Sequence, residues 1–191
     1  GWISPSQPIR AAEFAWRDAR LSHVRNGIYS EMFFASAISL AFEYKEVRVI
    51  IAKALEVIPP KSRLASAINY VLSLPVETQP WEEIVNALYD EFGKYHWVHT
   101  INNAALVVAA LISSKGNYET AICNVVMGGW DTDSNGATVG SIMGTMIGAK
   151  ILPSKWIDPL QNKIRSSLKG FDNSLLTDLA KRTSVLAKYK S

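Results

Sequence analysis

Apolar side chains recur along most of this chain with the spacing of one face of an α-helix. From Trp81 to Phe92, the positions Trp81, Ile84, Val85, Leu88 and Phe92 fall at i, i+3, i+4, i+7 and i+11, while Glu82, Glu83, Asn86 and Asp90 fall off that face. Leu64, Ile68, Val71 and Leu72 form a similar stripe after Pro59-Pro60. Pro5 and Pro8 precede an Ala-, Glu- and Arg-rich stretch that predicts a helix over 9–21, and Asn26-Gly27 reads as a helix stop. The apolar run over 27–44 predicts a buried helix. Further helices are predicted over 46–57, 97–113, 118–127, 135–152, 156–168 and 174–188. Strand signals are poor: no long alternating run and no Asn-Gly hairpin occurs between β-branched segments. Short connections and the absence of a linker predict one all-α domain over 1–191, a compact multi-helix bundle.

Composition narrows the possibilities. A hydrophobic fraction of 48% against 19% charged residues supplies a sizeable core and argues against disorder. The net charge of +3 is small, and basic residues gather only at Lys181, Arg182, Lys188 and Lys190. No basic stripe is interleaved with aromatics, so no nucleic-acid partner is expected. The most membrane-like stretch, 137–152, is shorter than the ~20 residues of a span and is flanked or interrupted by Asp131, Asp133 and Lys150, so no membrane association is expected. Cys123 is the single cysteine, which excludes an intrachain disulfide and fits a reducing, cytoplasmic setting. The opening residues lack the basic and apolar regions of a signal peptide.

Candidate chemistry concentrates in Met127-Gly128-Gly129-Trp130-Asp131-Thr132-Asp133-Ser134-Asn135-Gly136. Two carboxylates two residues apart, followed by a hydroxyl, stand where a glycine turn enters a helix. One reading is helix capping, since a carboxylate there accepts free N–H groups and favours the positive end of the dipole. The other is a metal site: close anions repel, a hard cation relieves that repulsion, and oxygen ligands favour magnesium, manganese or calcium over zinc. An EF-hand loop is excluded because its twelfth position is Ile142 where Glu is required. A phosphatase Asp-x-Asp would follow an apolar parallel strand directly, and here Gly128-Gly129 intervenes.

Gly136, Gly140, Gly144 and Gly148 recur every four residues after the acidic turn. Each costs ~1 kcal/mol relative to alanine inside a helix, so a close approach by another helix is expected as compensation. His99, Asn102 and Asn103 would share one face of the helix predicted over 97–113, and their polar stripe on an otherwise apolar helix is costly if unpaired. It forms either a core network or a site lining. His23 reads either as a cap on the last carbonyls of a helix or as a substrate contact. His96 and His99 lack a third ligand at zinc spacing. Trp97 reads chiefly as core, and Trp130, inside the acidic turn, as a stacking platform.

The stretch Gly-Gly-Trp-Asp-Thr-Asp-Ser-Asn-Gly-Ala-Thr-Val-Gly-Ser-Ile from Gly128, with Gly144, Gly148-Ala149, Leu152-Pro153 and Trp156, resembles the ADP-ribosylglycohydrolase family. Asp18-Ala19, Leu21-Ser22-His23, Asn26-Gly27-Ile28-Tyr29, Ile58-Pro59 and Ser62-Arg63 match it upstream, so the resemblance spans nearly the whole chain. It implies an all-α fold and hydrolysis of the bond between ADP-ribose and an acceptor such as a protein arginine or serine. It also implies a two-metal centre of magnesium or manganese. Carried over, Asp131 and Asp133 are catalytic metal ligands, joined by Ser134 where the family often has Thr. His23 and Gly27 lie near the ADP-ribose, with Gly128 and Gly129 letting backbone approach it. His99, Asn102 and Trp130 complete the expected substrate-binding set. The family's Thr-Asp-Asp motif has no counterpart here. Half of the metal shell is therefore expected from a longer native protein or a second polypeptide. The alternative is an inactive ADP-ribose-binding or structural homologue.

Overall fold

The structure, a computed structural model, describes residues 1–188; Lys190 of the basic C-terminal cluster lies outside them. The fold is all-α. Helix α1 (Pro8–Ala19) packs along α2 (Asn26–Leu40), and α3 (Val47–Ala54) runs into a 3-10 turn over Leu55–Val57. Then follow α4 (Arg63–Ser73), α5 (Trp81–Phe92), α6 (Thr100–Ser113), α7 (Tyr118–Met127) and α8 (Thr132–Ile147). Helix α6 is the axis of the molecule. Every residue from Ile101 to Ile112 is buried, and α2, α3, α4, α5, α7 and α8 all pack against it. From Ala104 to Ile112 its sequence is wholly apolar, which suits that surrounded position as an amphipathic one would not.

Side-chain caps define several boundaries. Ser62 Oγ accepts from the Ala65 N–H at 3.1 Å and starts α4, and Asn117 Oδ1 accepts from Thr120 N–H at 2.9 Å and starts α7. Helix α6 begins at Thr100 rather than 97, because His99 holds an extended backbone and its Nδ1 accepts the Ile101 N–H at 3.2 Å. Asn26-Gly27 opens α2 instead of closing α1. Asn26 Oδ1 accepts the Leu64 N–H at 3.1 Å, which ties the start of α2 to the first turn of α4. Trp97 is 55% exposed, not core, with its ring tilted against that of His96 at 5.7 Å between centroids.

The helix predicted over 156–168 does not form. Helix α9 (Ser154–Ile157) gives way to a 3-10 turn at Asp158–Leu160, where Pro159 supplies no N–H for a continuing helix. Gln161 and Asn162 then take positive φ. A short antiparallel pair, β1 (Lys163–Ile164) with β2 (Ser174–Leu175), leads into α10 (Leu176–Lys188), which buries none of its residues.

The glycine ladder of α8 also departs from expectation. A Cβ on Gly136 or Gly140 would meet ordinary contacts at 3.6 Å, and one on Gly144 or Gly148 would meet nothing within 4 Å among the described residues. The buried side of α8 is instead Asn135, Val139, Ile142, Met143 and Met146. The close approach occurs at Gly128, where a Cβ would lie 2.5 Å from Leu106 Cδ1 on α6.

Leu106→Ala is expected to lower unfolding free energy by ~2–5 kcal/mol, and Gly128→Ala by about 1–3 kcal/mol through overpacking. Denaturant titration should show Gly128→Ala costing less in the Leu106→Ala background, where its methyl has room; equal cost in both backgrounds would refute the close packing.

Candidate functional site

Three helices send their first turns to one cavity of about 230 Å³. Gly27, Ser30, Glu31 and Phe34 come from α2, Thr100, Asn103, Ala104 and Val107 from α6, and Asp131, Ser134, Asn135 and Thr138 from α8, with His23 and Val98 at the rim. Each helical set has the spacing i, i+3, i+4, i+7, a single face in each case. Each set also starts within one residue of its helix's beginning. Three helix N-terminal ends, with the positive ends of their dipoles, therefore stand beside the same space.

The acidic turn is held in a costly conformation. Gly129 has φ +80 and Trp130 φ +56, a region that a bulky side chain seldom occupies. The Trp130 ring stacks on Tyr89 at 4.4 Å between centroids, and the Tyr89 hydroxyl donates to the Gly128 carbonyl at 3.1 Å. A Cβ on Gly129 would sit 2.7 Å from that hydroxyl oxygen, so glycine is required there for space as well as for φ. From the front, Asn103 Oδ1 accepts the Asp131 N–H at 3.2 Å and the Asn135 side-chain amide at 2.7 Å. The Asn103 amide donates in turn to the carbonyls of Trp97 and His99, both at 2.8 Å.

Asp131 stands at the N-cap position of α8, yet its carboxylate makes no capping hydrogen bond. It lines the cavity with Ser134, whereas Asp133, also in the first turn, is exposed and does not line it. His23 stands in the turn between α1 and α2. Its Nδ1 lies 2.7 Å from Ser22 Oγ and 3.7 Å from Glu31 Oε1. A Cβ on Gly27 would come within 3.0 Å of the His23 ring, so Gly27 makes room for that imidazole.

Of the residues singled out from the sequence, His23, Gly27, Asp131 and Ser134 meet in the cavity. Gly128, Gly129 and Trp130 form the strained turn behind it. His99 caps α6 and stacks on Tyr95 at 4.5 Å; burial, with Arg63 nearby, pushes its imidazole below the ordinary value, as suits a neutral N–H acceptor. Asn102 is buried behind the cavity, with its amide 3.4 Å from the His96 carbonyl and its Oδ1 without a partner. Glu31 and Asn135 were not legible as site residues from spacing around the acidic motif. The signal that finds them is an i, i+3, i+4, i+7 face repeated at three helix starts, with polar residues at Ser30-Glu31, Thr100, Asn103 and Ser134-Asn135.

The donors at the turn are oxygens, which suit magnesium or manganese in kind. In number they fall short of a shell: among the described residues no group of three or more His, Cys, Asp or Glu is arranged to hold an ion. A larger groove, about 690 Å³, lies on another face of α2 and shares no residue with this cavity. Its lining is mostly apolar, with Glu13, Glu43, Lys53 and Glu56 as its charged members, whereas the acidic turn borders the smaller cavity.

An all-helical protein with a small cleft at three helix N-termini, lined by two carboxylates and a histidine, is the class that fold and site define. The family model for ADP-ribosylglycohydrolase matches residues 2–189, and the chain belongs to that family. No curated protein and no solved structure matches the chain. No helix of the described residues is long and apolar enough to cross a membrane.

Burial pushes the Glu31 carboxyl above its ordinary value, Asp18 adds to this, and His23 opposes it. A raised acid is destabilising when ionised, so its cost to the fold appears as pH rises through the window above the ordinary glutamate value. Glu31→Gln is therefore expected to melt slightly higher than wild type at pH 7, the gap closing at acid pH. A lower melting temperature at pH 7 would contradict the burial argument.

Proposed function

We propose that this chain hydrolyses the glycosidic bond between ADP-ribose and an acceptor, a protein side chain or a related ADP-ribosyl compound, in the cavity between α2, α6 and α8. The observation that carries the reading is the meeting of three helix N-termini with two carboxylates in one cleft, in a member of a glycohydrolase family. Helix N-termini favour anions such as a diphosphate. At about 230 Å³ the cleft is smaller than the ~300–1,000 Å³ of whole-ligand pockets, so it suits the ribosyl end, with the nucleotide extending outward.

Cleavage at the anomeric carbon builds oxocarbenium character. The Asp131 carboxylate, free of capping bonds, is assigned to accept the proton of the attacking water as the C–O bond forms. Glu31, raised by burial and beside His23, is assigned to hold a proton for the departing acceptor atom as the glycosidic bond breaks. Ser30, Ser134 and Thr138 offer hydroxyls to the sugar. Asp131, Asp133 and Ser134 would contribute oxygen ligands to magnesium or manganese, with further donors from a longer chain or a second polypeptide. Such an ion would polarise ribose hydroxyls and water. The single thiol of Cys123 is compatible with a cytoplasmic setting.

A second reading, ADP-ribose binding without turnover, is favoured by the lack of an acidic cluster sufficient for a metal among the described residues.

Release of ADP-ribose from ADP-ribosylated arginine, followed by chromatography, is expected for the purified protein with magnesium or manganese and is expected to stop with EDTA. Asp131→Asn should lower the rate by about 10²–10⁴-fold, the usual contribution of a proton-transferring group. No release from wild type, with ADP-ribose bound in calorimetry, would transfer the case to the second reading.

A further inference from the structure

An aspartate at the start of a helix ordinarily turns its carboxylate back onto the N–H groups of the first turn. Asp131 does not; it is part of the cavity wall and makes no capping bond. Its backbone is gripped instead by Asn103, whose Oδ1 receives the Asp131 N–H at 3.2 Å and the Asn135 amide at 2.7 Å. The same side chain donates both amide hydrogens, to Trp97 and His99 carbonyls at 2.8 Å each. Asn103 is 8% exposed and all its hydrogen-bonding capacity is used. Its neighbour Asn102, more deeply buried, makes one long bond and leaves its oxygen unpaired.

We infer that Asn103 is a positioning residue for the hydrolysis proposed above: it clamps the strained Gly129-Trp130 turn to the start of α6 and so keeps the Asp131 carboxylate aimed into the cavity rather than folded onto α8. The inference rests on that functional reading. Asn103 contacts the backbone of Asp131 and the side chain of Asn135, not the reacting atoms. Without the clamp, the turn can relax its positive φ values and Asp131 is free to become an ordinary cap. A small displacement of a reacting group is enough to cost on the order of 10–100-fold in rate.

The test is a double-mutant cycle in the full chain, with kcat and KM measured on ADP-ribosylated arginine. Asn103→Ala is expected to lower kcat by about 10–100-fold with KM changed less than roughly threefold. In the Asp131→Asn background the same substitution is expected to lower kcat no more than about threefold, because its effect runs through Asp131. Amide exchange at Asp131, followed by NMR, should speed up in Asn103→Ala. Asn124→Ala, which removes a buried asparagine of α7 that donates to Ser113 Oγ at 3.0 Å outside the cavity, is the purely structural comparison and should lower the melting temperature but keep kcat within about threefold and slow Asp131 exchange intact. If Asn103→Ala does not fold, Asn103→Asp, which retains the acceptor facing Asp131, should keep kcat within about tenfold of wild type while Asp131→Asn does not. An active wild type with full, additive losses in the cycle, or with Asn103→Asp as impaired as Asp131→Asn, overturns the positioning role alone. A wild type with neither turnover nor ADP-ribose binding overturns the functional reading and this inference with it.

Discussion

The left-handed turn at Gly129-Trp130 is the constraint on which the rest of the site depends. Two successive residues with positive φ stand directly before the helix that carries Asp131, and a bulky residue in that region costs ~1–3 kcal/mol. The turn persists because it is held from two sides. Tyr89 of α5 stacks on the indole and binds the Gly128 carbonyl. Asn103 of α6 holds the Asp131 N–H. Both supports come from helices distant in sequence, so the conformation exists only in the assembled bundle.

Close packing is concentrated away from the candidate site, and that division has a physical basis. The axis helix α6 is sheathed on all sides, and its apolar residues supply the core. The cavity at its N-terminal end contains the features that a packed core would eliminate: a half-buried carboxylate raised in pKa, a strained turn and an uncapped aspartate. Behind it, Asn102 keeps an unpaired buried oxygen. Each of these opposes folding, and together they keep polar groups oriented toward one small volume in advance of a ligand. Preorganised dipoles of that kind act strongly in a site that excludes water.

Beyond α8 the character of the chain changes. Gly148, at φ +87, ends the last helix with buried residues, and the segment that follows buries no side chain fully. Lys45 reaches back to the Met146 carbonyl and Lys155 pairs with Glu119 on α7, so polar contacts tie the two ends of this junction to the helical body. Among the described residues, the cavity and its supports lie wholly before Gly148.

How much of this was legible in the sequence follows from the range of the forces involved. Apolar periodicity alone located α5 and α7 to the residue, and most other helices to within a turn, because burial of one face is written locally. The acidic motif announced a glycine turn and the start of a helix for the same reason. The boundaries that failed, at Asn26-Gly27 and at His99, depend on side chains bonding to backbone N–H groups whose availability only the fold reveals. Which aspartate lines the cavity, why Gly144 and Gly148 stand open while Gly128 is closely packed, and the partnership of Glu31 with His23 were decided by tertiary structure. Helix propensity is a property of neighbours along the chain; the direction of a carboxylate and the space beside a glycine belong to residues brought together across it.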